Sequence, residues 1–552
     1  MNVQEHVQEL GCRQNAALVK RQGHESTWQE IADYVNPLLG DVGTTKRTEG
    51  AKRTNPVFDS TAMISSNIFD NFVKGSIFPS SSPWFGLRPP FDYRANEDVV
   101  RLLDTTRDRV LDFMANSNFY TACVPALSSL TAIGNTVMTV REDTSLLTSR
   151  RKFGELIYDN VPISECVWSS GFGNQINFFC RTMCLTAGEA DRMFSKYKNR
   201  PGIREALERG PNAEVEIKHY VFRNENSLDS RTALKVENVS NPWVSQYVCT
   251  EGSPHIIHSE GLDLFPYVVG RWHIIDNEFY GRGIGHLIRP DAKGLNLLRR
   301  LTWMAADRDI RPPLLVSDET HFRLSEAGSK AYVREDQRDP RFMEVSADYS
   351  VADAIRRQDQ QIVHDAYMIS ALSDPETEPR SAEESRNRVV RALQRLSAPS
   401  ERVGHEFLDP ILNLTITALV KGKQLPELSQ ALEIMRGDDI GTYLYTSPFF
   451  QAQRQAQLNL IYAMLERRLA LFAATNDRQW IDDIDTLEIQ AAERELGGVP
   501  VRVYKTKERL NREREALAQA AAVDRLESPD GTPAQQARRA PQVQALTGER
   551  VA

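Results

Sequence analysis

The spacing of apolar residues in the first quarter of the chain predicts a series of amphipathic helices. Trp28, Ile31, Ala32 and Val35 fall on one stripe of a helix over residues 1–35. Further helices are predicted over residues 60–75, 96–115 and 119–133.

Between residues 135 and 272 the pattern changes to short apolar runs separated by turn residues, which is typical of β-strands. One helix is predicted inside this region, at 187–197, with loops at 198–213 and 223–231. Since helices dominate on both sides of this region, we expect an α+β fold that is mainly α. The predicted strands include residues 135–140, 165–167, 176–181, 217–222 and 267–270.

Beyond residue 285 the helical pattern returns. A helix over 291–309 is ended by Pro312 and Pro313. A second helix is predicted from Ser350 to residue 370, and Ser350 with Asp353 resembles a capping box at its start. Its apolar residues form one narrow stripe, which predicts that the helix packs on one side only. The stripe consists of Val351, Ile355, Ile362 and Ile369.

The residues between and after these two helices predict a small module and a loop. Residues 312–348 carry two short apolar strands, at 314–316 and 342–345. Beyond the second helix, Pro375 and Pro379 predict a loop.

The C-terminal third is predicted to be helical except at its end. A long helix begins with a capping box at Ser381, is interrupted at Pro399 and resumes as a buried helix over 407–420. Further helices are predicted over 451–472 and 505–525, the latter exposed or self-associating. Residues 528–552, rich in Pro, Gln, Gly and Ala, are expected to be disordered.

Composition narrows the possible functions. The chain has 552 residues and a formal net charge of −8, which argues against tight, static binding of DNA phosphates but is compatible with sliding contact. The six cysteines include no CxxC pair, so we expect no disulfide framework and a reducing cytoplasmic origin. No signal peptide and no membrane insertion are expected, because no stretch approaches ~18 apolar residues.

The sequence contains few motifs that indicate ligand or metal binding. The three glycines of Gly281–Gly285 resemble a dinucleotide-binding fingerprint, but the third glycine comes too early and no acidic residue ends a following strand. We therefore predict a flexible turn before a helix. Five possible zinc ligands match no standard zinc module, so buried thiols and surface imidazoles are the prediction. These residues are Cys180, Cys184, Cys249, His255 and His258.

The sequence contains no Walker A loop, no GxSxG and no HExxH motif. Phosphoryl transfer needs a phosphate cradle and a carboxylate that holds a metal, so a packaging ATPase or a nuclease is disfavoured. We expect no catalytic residue, no cofactor and no metal site, and a structural or conduit role is favoured.

Several segments, taken in order, resemble the head-to-tail connector (portal) family of podoviruses. Each motif is weak by itself, but their shared order and spacing over residues 25 to 470 make the resemblance fairly specific. The motifs are Phe78-Pro79 followed by Pro83–Leu87, Ser117–Tyr120 followed by Ala126-Leu127 and Gly134-Asn135, Pro266-Tyr267 followed by Arg271-Trp272 and Tyr280–Gly283, and Tyr445–Pro448 followed by Gln453-Arg454.

The resemblance implies a dodecameric ring around a central channel, with regions called wing, stem, clip and crown. It also implies a loop that faces DNA and the possibility of a C-terminal helical barrel. Laid onto this chain, the regions are a wing of 1–285, stem helices at 286–311 and 349–371, a clip of 312–348, a tunnel loop of 372–380, a long wing helix of 381–430, crown or barrel helices over 431–527 and a disordered tail of 528–552.

The resemblance also implies partners: double-stranded DNA in the channel, capsid protein and scaffold, the terminase packaging motor, and tail adaptor or tail tube proteins. The subunit would be made in the host bacterial cytoplasm and end at the capsid portal vertex of the virion. The implied channel residues are Arg356, Arg357, Pro375, Glu376, Thr377, Glu378, Pro379, Arg380 and Arg386. The implied tail-docking residues are Leu314, Val316, His321, Phe322, Arg323, Tyr332 and Arg334.

Two alternatives stay open at this point, one for the role of the arginines and one for the function of the protein. Scattered arginines suit a channel that must not hold DNA at one register, but they also suit solvated helix faces. The alternative function is a structural tail adaptor or minor capsid protein without a DNA channel.

Overall fold

A computed structural model describes most of the chain and divides it into two compact units. The first comprises Met1–Gly86, Thr106–Ser429 and Tyr445–Ala456, and the second Leu87–Thr105, Gln430–Leu444 and Gln457–Ala552. The described residues are 3–43, 57–80, 82–94, 96–143, 153–171, 173, 175–224, 241–276, 278–310, 314–315, 341–342, 349–369, 401–436, 441–475, 489, 512, 515 and 516.

The fold is mostly helical with antiparallel sheets, so the predicted α+β class is confirmed. The helices are α1 (Val3–Tyr34), α2 (Thr61–Ile77), α3 (Glu97–Ala115), α4 (Phe119–Ile133), α5 (Ala187–Met193), α6 (Pro201–Arg209), α7 (Ile284–Ile310), α8 (Tyr349–Ala366), α9 (Asp409–Lys421), α10 (Pro426–Met435) and α11 (Pro448–Thr475). None of these described helices is long and apolar enough to cross a bilayer.

The strands form a five-stranded sheet of order β4-β5-β6-β7-β8, a three-stranded sheet of order β3-β2-β9 and a short β10-β11 pair. Their bounds are β1 (Phe85–Arg88), β2 (Asn135–Asp143), β3 (Glu155–Val161), β4 (Cys166–Ser170), β5 (Ile176–Thr186), β6 (Glu214–Arg223), β7 (Trp243–Cys249), β8 (His255–Leu262), β9 (Tyr267–Arg271), β10 (Leu314–Leu315), β11 (Arg341–Phe342) and β12 (Thr442–Tyr445).

Helix α1 packs on the five-stranded sheet through apolar and polar contacts. Leu10 and Ala17 join the buried cluster that includes Phe178 of the sheet. The buried guanidinium of Arg21 donates to the carbonyls of Ser164 at 2.8 Å and Cys166 at 2.9 Å. A buried cation is tolerated when its donors are satisfied, so Arg21 fixes where α1 crosses the sheet.

Helix α6 corrects the prediction that 198–213 is a loop. Pro201 occupies the first helical position, Ile203 and Ala206 are buried, and Gly210 follows the last residue. Proline at the start and glycine just beyond the end of a helix are common, so Pro201 and Gly210 bound a short helix here. Helix α5 was predicted over 187–197 but ends at Met193.

The predicted buried helix over 407–420 is confirmed. Ile411, Leu412 and Leu419 of α9 are fully buried, and Thr415 lies 2.9 Å from the hydroxyl of Tyr158 on β3. A π-helical turn, Gly404–Leu408, precedes α9 and was not predicted.

Helices α7 and α8 both differ from prediction at their starts. Helix α7 begins at Ile284 instead of 291 and includes Pro290, which lies beyond its first turn and therefore leaves one backbone carbonyl without its helical donor. Ser350 already lies inside α8, which includes Tyr349, so the predicted cap at Ser350 is wrong.

In the second unit, Gly441 has a positive φ of 85° and lies against the carbonyl of Arg88. Several predictions fall wholly or largely outside the described residues. They are the loop at 223–231, most of the small module at 312–348, the loop with Pro375 and Pro379, the start of the long helix at 381–400 with its interruption at Pro399, the helix at 505–525 and the tail at 528–552.

Candidate functional site

Helices α7 and α8 pack side by side, and we call them the α7–α8 hairpin. The hydroxyl of Tyr349 on α8 donates to the carboxylate of Asp309 on α7. The connection between the helices begins and ends with paired strands, in which Leu314 faces Phe342 and Leu315 faces Arg341. The sequence predicted two adjacent helices that bracket a small module, and their adjacency is confirmed.

The hairpin is anchored where the chain enters α7. A Cβ atom on Gly281 would lie 2.4 Å from the carbonyl oxygen of Gly134, and one on Gly283 would lie 2.4 Å from that of Thr131. The buried amide of Asn135 donates to the carbonyl of Gly281 at 2.9 Å and accepts from its N–H at 2.7 Å. The predicted turn is therefore present, but it is a tight backbone crossing and not a flexible segment.

Helix α7 is further held by the residues that precede α2. The side-chain oxygen of Asn296 accepts from the backbone N–H groups of Phe58 at 2.5 Å and Asp59 at 3.2 Å. Burial would raise the pKa of Asp59, but hydrogen bonds from Thr61 and Arg299 outweigh it and hold the pKa below its ordinary value. Asp59 therefore stays charged opposite Arg299, which lies 3.4 Å away.

Helix α8 attaches to the body through its C-terminal half. Val363 and Tyr367 are fully buried, and the ring of Tyr367 lies 5.6 Å from that of Phe69 on α2. Val363 lies roughly 120° around the helix from Val351, and Tyr367 directly follows the last residue of α8. The predicted apolar stripe is thus not the side that packs within this chain.

Three of the four residues of the predicted stripe lie on α8 and are exposed to water, whereas Ile369 is buried and lies beyond the end of the helix. The exposed fractions are 60% for Val351, 47% for Ile355 and 43% for Ile362. Helix α7 carries a second exposed stripe, on the side roughly opposite its buried residues. Its exposed fractions are 56% for Leu297, 52% for Leu301 and 47% for Met304. We call these two sets the α8 stripe and the α7 stripe.

The α7 stripe was missed from the sequence. Its signal was present, because Leu295, Leu297, Leu298 and Leu301 spread over roughly 160° of the helix circumference, which is much wider than a single narrow stripe. A helix that is apolar on two sides needs partners on both, and the described residues cover only one. Large exposed apolar surfaces of this kind mark interaction sites.

The predicted channel residues on α8 lie in different surroundings. Arg356 is half-buried and pairs with Asp353 at 3.1 Å, whereas Arg357 is exposed. Of the predicted docking residues, Leu314 lies in β10. The other predicted residues lie outside the described part of the chain: Val316, His321, Phe322, Arg323, Tyr332, Arg334, Pro375, Glu376, Thr377, Glu378, Pro379, Arg380 and Arg386.

The possible zinc ligands do not form a metal centre within the described residues. Burial raises the pKa of the Cys180 thiol to about 12, so this side chain is a poor thiolate ligand. Cys249 is also buried, as predicted, but Cys184 is exposed.

Among the described residues, an α+β body carries a helical hairpin whose two apolar stripes are exposed, a surface that is typical of proteins that contact other chains. The family model described as bacteriophage head to tail connecting protein matches residues 8–504, and the chain belongs to this family. The resemblance predicted from the motifs is thereby confirmed.

Two curated relatives are similar to the chain over most of its length. The portal protein of Salmonella phage epsilon15 is 21% identical over 524 residues, covering 91% of this chain and 89% of the relative. The probable portal protein of Bordetella phage BPP-1 is 24% identical over 460 residues, covering 80% and 79% respectively.

Proposed function

We propose that this chain is the portal subunit of a phage capsid. Copies form a ring at one vertex, through which the double-stranded DNA genome is packaged and ejected and to which the packaging motor and the tail attach. The observation that carries the proposal is the α7–α8 hairpin, which exposes apolar stripes on two adjacent helices. The names of the two relatives support it.

The two different stripes supply what ring formation requires. A closed ring with a cyclic symmetry needs two different patches on each subunit, because each contact joins one patch to the other. We infer that the α7 stripe of one subunit packs against the α8 stripe of the next. Full burial of a large apolar side chain contributes ~1.5–3 kcal/mol, and about half of that remains available for these half-exposed residues. Twelve subunits are proposed from the resemblance.

The channel surface is proposed to include the polar side of α8. Arg357, Gln361 and His364 follow each other at helical spacing and lie away from the α8 stripe. Arg356 is proposed to border the same surface. Isolated cations on a chain of net charge −8 attract DNA phosphates without a dense basic patch, so the duplex can slide. The tunnel loop at 372–380 and Arg386 are proposed to face DNA as well.

The remaining regions are assigned from the family plan. The clip at 312–348 is proposed to bind tail adaptor or tail tube proteins, and the wing at 1–285 and 381–430 to meet capsid protein and scaffold. The crown or barrel is proposed for 431–527, and the terminase motor docks on the assembled ring. The subunit is made in the bacterial cytoplasm and ends in the virion; its role is structural and not enzymatic.

Electron microscopy of the purified full-length protein tests the portal role against that of a tail adaptor or minor capsid protein. We expect closed rings with an axial hole wide enough for duplex DNA. Rings without a hole, or a protein that stays monomeric at all concentrations and in the presence of scaffold, would contradict the proposal.

A further inference from the structure

A cavity lies in the first unit, away from the exposed stripes of the hairpin. Its volume is about 320 Å³, at the small end of the range of cavities that hold small ligands. Its walls come from the short helical turn Pro37–Leu39, from α2, from α4 and from residues 160–164 at the end of β3.

Two polar side chains that line this cavity have an atom with no hydrogen-bond partner among the described residues. Asp70 of α2 is only 8% exposed; its Oδ1 accepts from the hydroxyl of Thr131 at 2.5 Å, but its Oδ2 is unpaired. The hydroxyl of Ser164, also buried, is unpaired as well. Buried polar atoms are nearly always paired, so two exceptions in one cavity call for an explanation.

A cation would supply the partner that Asp70 lacks among the described residues. No lysine, arginine or histidine is among the described residues that line the cavity. Burial raises the pKa of Asp70, and hydrogen bonds from Thr131 and Ser128 only partly oppose this effect. A buried carboxylate without a counter-charge is unfavourable, and a bound cation removes that penalty.

The rest of the lining selects the kind of cation. A divalent metal ion needs several oxygen ligands at close range, and the described residues hold no cluster of acidic side chains that supplies them. Val124, Pro125 and Ile133 give the cavity apolar walls beside Asp70. An ammonium group has three N–H donors, and an alkyl stem can lie along apolar walls.

We propose that this cavity binds a short aliphatic amine. The ammonium group donates to Oδ2 of Asp70 and to the hydroxyl of Ser164, and the alkyl chain lies against Val124, Pro125 and Ile133. Asn67 and Asn71, which also line the cavity, offer amide oxygens to a second amino group, so a diamine binds more tightly than a monoamine of equal length. This proposal does not depend on the portal role.

Calorimetric titration of the full-length protein with putrescine tests the proposal, with 1,4-butanediol as the uncharged probe of equal length. We expect saturable binding of putrescine, at least a tenfold rise in Kd for Asp70→Asn, a smaller rise for Ser164→Ala, and no binding of the diol. Asp112→Asn, which changes an exposed carboxylate on α3, is the matched control and should leave Kd unchanged.

The folding of Asp70→Asn provides a second readout. Because the substitution removes an unpaired buried carboxylate, the variant without ligand should melt no lower than the native protein, and putrescine should raise the Tm of the native protein only. The proposal is overturned if putrescine binds native protein and Asp70→Asn equally, if Asp112→Asn loses binding as much as Asp70→Asn does, or if no saturable binding occurs.

Discussion

At the scale of single residues, the glycines before α7 show how a motif can be recognised and yet misjudged. Gly281, Gly283 and Gly285 each lie within 2.6 Å, measured from a Cβ that they lack, of a carbonyl oxygen at the end of α4 or at Gly134. The sequence predicted a turn at this point, and the turn is there. Its tightness depends on contacts more than 130 residues away along the chain, which no local pattern records.

The close packing of Gly283 against the end of α4 gives a prediction with a matched control. Gly283→Ala places a methyl group against backbone on several sides, with contacts of 2.4 to 2.7 Å, and we expect a loss of about 3 kcal/mol of stability. Gly23 lies in an exposed part of α1, where an added Cβ has nothing within 4 Å. Gly23→Ala should therefore raise the free energy of unfolding by up to ~1 kcal/mol. Thermal denaturation measures both; an equal Tm for the two variants would contradict the close packing.

At the scale of elements, periodicity located most helices and strands but could not say what each one packs against. The long helices α1, α2 and α4 and the strands β5 and β6 lie where the pattern placed them, because each buries one continuous face. The predictions for α6 and α7 were wrong in regions that contain a proline: Pro201 occupies the first position of α6, and Pro290 lies inside α7. The partner of the exposed stripes could not be predicted from the pattern of one chain, because the proposed partner belongs to another copy of the chain.

The stripes give the prediction at this scale. Leu301→Glu on α7 and Ile355→Glu on α8 each place a carboxylate in the proposed contact between subunits, where burial of an unpaired charge is costly. We expect either variant to fold but to sediment as monomers or small oligomers. Val19→Glu, at an equally exposed apolar position on α1, is the control and should form native assemblies. Assembly by all three variants would show that the stripes lie outside the contact.

At the scale of the whole molecule, the family could be predicted from the sequence, but the residues that meet in three dimensions could not. Order and spacing of weak motifs predicted a head-to-tail connector, and the family match confirms it. By contrast, the contact of Thr415 with Tyr158 joins residues more than 250 positions apart. Such contacts arise from the packed fold and leave no mark in a single sequence.

In the proposed function, the stretch between β10 and β11 binds the tail, whereas helices α7 and α8 form the ring. This separation gives a prediction for the whole molecule. Replacing residues 316–340 by a short Gly-Ser turn retains the β10–β11 pair and both hairpin helices, so rings and DNA packaging should persist. Tail attachment should be lost, giving DNA-filled heads that leak or fail to infect. The measurement is electron microscopy of particles from infected cells that supply only the variant; loss of every soluble ring would contradict this separation.

The β10–β11 pair has a consequence for how such proteins diversify. The chain leaves and returns at neighbouring positions, so the ends of the intervening stretch stay fixed whatever its length. Doubling the length of a loop costs only about 0.6 kcal/mol in closure entropy. Under the proposed assignment of this stretch to tail docking, its length and sequence can change to fit another tail while the two flanking helices stay as they are.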